Sequence, residues 1–106
     1  MSTKFMITLN YQRSLSQAQK LEELAEKVNQ IGNTRIDNAK AAQAEGWKGD
    51  NADVLRNKTG QLQVKIQNTA KSLKNTAFTI RKVAKNTYDA EMRAWEIAHR
   101  RDYGGG

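Results

Sequence analysis

The sequence predicts an all-α fold: a two-helix antiparallel hairpin, with a Trp-x-Gly turn at its tip, that dimerises into a four-helix bundle. Three observations predict it. The 106 residues include no proline, so nothing interrupts a long helix. Apolar residues recur at three-and-four spacing along two long stretches. The only break between those stretches is Gly46-Trp47-Lys48-Gly49-Asp50.

The first nine residues are expected to form an extended N-terminal arm or a helix lead-in. Phe5, Ile7 and Leu9 alternate with Lys4, Met6 and Thr8, a strand-like period with no sheet to join. Helix 1 is expected over about 10–45, with Asn10 or Ser14 as its cap, because Ser14 and Gln17 have capping-box spacing. Its apolar stripe runs through Ala18, Leu21, Ala25, Val28, Gly32, Ala39 and Ala42, widened by Leu24, Ile31 and Ile36. Gly32, Ala39 and Ala42 make the second half of the stripe small-sided and allow close backbone approach, while Arg35 interrupts it and carries its charge to water. The opposite face holds Lys20, Glu22, Glu23, Glu26, Lys27 and Asn29.

The turn is expected at 46–49. A tryptophan there can plug the end of a bundle, and Gly49 supplies backbone freedom before an Asp50 cap. Helix 2 is expected over about 50–102, so that 10–103 is one helical hairpin. Its stripe runs through Leu55, Leu62, Ile66, Leu73, Ala77, Ile80 and Ala84, with Gly60 either costing stability or permitting close packing. Gly104-Gly105-Gly106 reads as a flexible tail.

Helix 1 on these limits is about 50 Å long and helix 2 about 75 Å. Folding about Trp47 therefore leaves residues from about Thr87 onward as an overhang carrying Tyr88, Met92, Trp95 and Ile97, to be covered by the arm at 3–9 or by a partner, or to fray until something binds. Two helices shield only one side of each other, and the 38% apolar content is low for a compact monomer. Packing against a second hairpin through Leu21, Leu24, Val28, Ile31, Leu62, Ile66, Leu73 and Ile80 would complete a core.

Composition removes several function classes. No cysteine is present, and His99 is the single histidine, with Trp95 and Tyr103 rather than a second ligand four residues away; no metal site and no cofactor are expected. No nucleophile–base pair or phosphate loop is visible, so the chain reads as a non-enzyme. Phe5–Leu9 is too short for the core of a secretory signal, and no stretch reaches the length of a membrane span. Net charge is +7, and Val54–Asn86 carries eight basic residues and no acidic one. Only Phe78 lies among those charges, where single-strand nucleic-acid binding uses several stacking aromatics, and an acidic partner helix fits the basic run better than DNA or RNA.

With Trp47-Lys48-Gly49 set between two long amphipathic helices in a chain of this length, the sequence resembles the WXG (Trp-X-Gly, early-secreted-antigen type) family of small type VII secretion substrates. Tyr88-Asp89-Ala90-Glu91-Met92-Arg93-Ala94 looks like members from Gram-positive, low-GC bacteria. The resemblance implies helical hairpins forming homodimers, or heterodimers with a related chain or a toxin's N-terminal domain. It implies a cytoplasmic protein exported folded by a membrane ATPase translocon to the cell surface or medium, some members acting as targeting partners of a larger toxin. The family's export signal is Tyr-x-x-x-acid. Here Tyr88 is followed four positions on by Met92, with acids at Asp89 and Glu91. Tyr88, Glu91, Met92 and Trp95 form the expected recognition segment, and Met92 at the acid position favours a heterodimer in which the partner carries the signal.

Overall fold

A computed structural model of the chain describes residues 3–46 and 49–104. These form two helices, α1 (Lys4–Gly46) and α2 (Asp50–Gly104), of 43 and 55 residues. Among the described residues there is no strand. The fold is all-α and the chain is a helical hairpin. Trp47 and Lys48, and with them the tryptophan of the expected turn, lie outside the described residues, as do Gly105 and Gly106 of the expected tail; Gly104 is the last residue of α2.

The expected N-terminal arm is instead the first two turns of α1. Three alternating apolar residues are too few to specify a strand, and Ile7 continues the helical stripe through Tyr11 and Ala18. Thr3 caps this earlier start. Its Oγ1 accepts from the Met6 N–H at 3.1 Å, and its carbonyl accepts from the Ile7 N–H at 3.0 Å. Ser14, expected near a cap, lies in mid-helix and donates its hydroxyl to the Asn10 carbonyl at 3.1 Å.

The start of α2 shifts by one residue in the same sense. The Gly49 carbonyl accepts from the N–H groups of Ala52 and Asp53 at 3.1 and 3.3 Å, so Gly49, not Asp50, is the cap position. Gly49 has φ +90°, a conformation that a side chain would strain. Asp53, in the first turn, pairs with Arg56 at 2.8 Å.

The chain divides into two compact units. One spans Leu21–Asn75: the second half of α1, the turn and the first part of α2. Its seam is made mostly of small residues. Ala25, Gly32 and Ala70 are buried, together with Ile36 and Ala52. Gly32 lies against Ile66 so closely that a Cβ built on the glycine would stand 2.5 Å from Ile66 Cγ2. Polar pairs tie the same unit across the helices: Gln43 Nε2 donates to Thr59 Oγ1 at 2.8 Å, Lys40 Nζ to Gln63 Oε1 at 3.2 Å, and Lys74 meets Glu26 at 3.1 Å. Gly60 has no neighbour in the space its Cβ would take, so close packing is not its role.

The other unit pairs α1 up to Lys20 with α2 from Thr76 onward. Ile7, Ala18 and Ala77 are its buried apolar residues. Tyr11 and Tyr88 meet with ring centroids 4.7 Å apart. Lys4 Nζ lies 5.4 Å from the centre of the Trp95 ring.

Candidate interaction faces

The expected recognition segment is not an overhang. Because α1 begins at Lys4, it supplies neighbours for α2 as far as Trp95. Tyr88, Glu91, Met92 and Trp95 are all half-buried. Tyr88 is held against Tyr11, and Trp95 stacks on His99 with centroids 3.8 Å apart and planes inclined by 25°. Trp95 and His99 are one helical turn apart, and the His99 Nδ1 lies 2.8 Å from the Trp95 carbonyl. Lys4 approaches the same indole, a cation over an aromatic face. The missed signal for this arrangement is the Ile7–Tyr11–Ala18 spacing, which carries the helical stripe back to the N-terminus.

Between the two helices of this unit lies a groove of about 400 Å³, with Asn10, Ser14 and Gln17 on one wall and Ile80, Val83, Thr87 and Glu91 on the other. Ile7 and Tyr88 also line it. Of the recognition residues, Tyr88 and Glu91 line it; Met92 and Trp95 do not.

The residues expected to pack a dimer divide into two sets. Leu21, Val28, Ile66, Leu73 and Ile80 are half-buried beside the seams. Leu24, Ile31 and Leu62 are open to solvent at 47%, 58% and 52%. Leu55, one heptad before Leu62, is 40% exposed and joins them. In the Leu21–Asn75 unit the order around each helix is regular. From the Ala25–Gly32 seam, α1 presents first Leu21 and Val28, then Leu24 and Ile31. From the Ala70 seam, α2 presents first Ile66 and Leu73, then Leu55 and Leu62. Both steps turn in the same rotational sense. The antiparallel run of the helices therefore brings them to one face of this unit. Small residues close the hairpin, so the large aliphatic residues beside them have no partner helix to cover them.

Cations border that face. Lys27 follows Leu24 and Ile31 around α1, and Lys58 and Lys65 follow Leu55 and Leu62 around α2. Arg35 stands on the face itself, beside a depression of about 250 Å³ that it lines with Gln30, Ile31 and Thr34. All four cations are exposed.

Among the described residues no group of three His, Asp or Glu side chains could hold a metal ion, and no helix is long and apolar enough to cross a membrane. Comparison with protein-family models, with curated proteins and with solved structures gives no match for this chain.

Proposed function

We propose that this chain is a small secreted or secretion-targeting protein of a bacterial type VII secretion system. It acts by packing against a second helical chain and by presenting the segment Tyr88–Trp95 to the export machine. The observation that carries this reading is the exposed aliphatic face formed by Leu24, Ile31, Leu55 and Leu62 in a unit whose seam is closed by alanine and glycine. Exposed apolar side chains gathered on one face mark a surface meant for a partner, and a face-to-face pair of hairpins encloses it in a four-helix bundle. Two helices of 43 and 55 residues joined at a glycine with φ +90° also suit the Trp-x-Gly hairpin that the sequence resembles.

A second reading is favoured by Met92. With methionine where the export signal has an acid, the chain serves as the partner of a larger toxin, dimerises with the toxin's helical N-terminal domain, and relies on that domain for the signal.

Export from a host with and without the type VII ATPase tests the first reading. Wild-type chain should reach the medium only when the ATPase is present. Met92→Glu places a carboxylate four residues after Tyr88 on the same helix face and should raise the secreted fraction several-fold. Equal release from the ATPase-deficient host would remove the type VII assignment. ATPase-dependent export of the wild-type chain only when a toxin domain is co-expressed would select the second reading.

A further inference from the structure

We propose that the aliphatic face of the Leu21–Asn75 unit takes a helical partner whose own apolar stripe is bordered by acidic side chains, and not a second copy of this chain. The inference rests on the reading of that face as an interface and names the chemistry of its occupant.

The borders carry it. Lys27 flanks the face on α1, Lys58 and Lys65 flank it on α2, and Arg35 lies upon it. Among the described side chains of this unit, acidic residues are placed elsewhere, and Asp53 at the start of α2 pairs with Arg56. From Val54 to Asn75, α2 has none. Between Leu21 and Ala44, Glu26 is committed to Lys74 across the hairpin, Glu22 lies on that same far side, and Glu23 and Asp37 stand on the back of α1 beyond the lysine border. A twofold dimer uses the same patch on both subunits. Whichever way a second copy is turned, both of its borders are cationic, so neither edge offers the opposite charge. Like charges held at an interface oppose association, and opposite ones favour it and select the partner. The apolar area would draw a second copy in; the border repels it. An acid-bordered stripe gains from both.

The charge-reversed chain is itself a suitable probe. The variant Lys27→Glu/Arg35→Glu/Lys58→Glu/Lys65→Glu keeps the aliphatic face and acquires acidic borders. Sedimentation equilibrium at low salt should find the wild-type chain and this variant associating one to one, at least tenfold more tightly than the wild-type chain with itself. At about 1 M salt, where charges are screened beyond about 3 Å, the preference should largely vanish. A wild-type homodimer as tight at low salt as the mixed complex would overturn the proposal. Should the fourfold variant lose helix content by circular dichroism, Lys58→Glu/Lys65→Glu makes the same comparison on one helix. Leu24→Asp/Leu62→Asp separates the two readings. If it abolishes a tight wild-type homodimer, the face is an interface and only the choice of partner is wrong. If association is unaffected by it, the face is not the interface and the bundle reading falls as well.

Discussion

Gly32 and Ile66 pack with no space for a side chain between them: a Cβ on the glycine would lie 2.5 Å from Ile66 Cγ2 and 2.9 Å from Ile66 Cδ1. The atoms in the way belong to a branched side chain half-buried in the seam, not to the free end of a flexible one. Gly32→Ala should therefore lower stability by about 1–3 kcal/mol, although alanine is the better helix former. Thermal unfolding of Gly32→Ala alone and with Ile66→Ala gives the check. If the close approach is the cause, the two losses should be less than additive, because the truncated isoleucine leaves room for the new methyl. Full additivity would show that they act separately.

Gly60 makes the opposite prediction. Nothing lies within 4 Å of the Cβ it lacks, and it sits in the interior of α2. Gly60→Ala should stabilise the chain by about 1 kcal/mol, through lower backbone entropy in the unfolded state. A higher melting temperature with unchanged partner binding is the expected result; a lower one would mean the space is used by a contact made only on assembly.

The buried amide of Gln43 depends on Thr59. Gln43 is 5% exposed, and its Nε2 donates to Thr59 Oγ1, which itself donates to the Leu55 carbonyl at 2.8 Å. Thr59→Val removes the acceptor and leaves the amide without this partner, at a cost of about 1–3 kcal/mol. Gln43→Leu/Thr59→Val should recover most of that loss, since no buried polar group is then orphaned. A double-mutant cycle by chemical denaturation measures the coupling, and a coupling near zero would show that the hydrogen bond is not held in solution.

Thr3 fixes where α1 begins. Thr3→Ala deletes the oxygen that accepts from the Met6 N–H and should cost about 1 kcal/mol. The loss should be local. Hydrogen exchange should quicken over the first turns of α1, and indole fluorescence should change because Lys4 no longer holds its place over Trp95. Unchanged exchange at Met6 and Ile7 would mean the cap does not set the helix start.

Much of this architecture is legible in the residues themselves. The absence of proline and the three-and-four spacing give two long helices, and the Gly46–Asp50 break gives the hairpin. The end of α1 at Gly46 and the start of α2 at Asp50 fall within a residue of their expected places, because a glycine interrupts the helical pattern there. Phe5-Met6-Ile7-Thr8-Leu9 is where pattern reading fails. Over five residues an alternating period and a helical one cannot be told apart, and Thr3 as a cap is recognised only once its hydroxyl is seen on the Met6 N–H. Two things remove the expected overhang: α1 extended to Lys4 gives Trp95 a neighbour, and a register that sets Tyr11, already within the expected helix, against Tyr88 carries the pairing further along α2 than a fold about Trp47 would.

By itself, then, the sequence determined helix number, the position of the turn and the identity of the apolar stripes, all of which follow from local periodicity and backbone freedom. Which part of each stripe closes the hairpin was decided only by the tertiary structure. Leu24 and Ala25 are both apolar neighbours on one helix, yet Ala25 is buried and Leu24 is 47% exposed. The reason is distance. Once Gly32 admits Ile66, the helices come together largely on small residues, with Ile36 buried among them, and Leu24, Ile31, Leu55 and Leu62 are left on the flank. Periodicity marks a side chain as apolar. How near its neighbour's backbone can come settles whether it lies in the seam or on the open face.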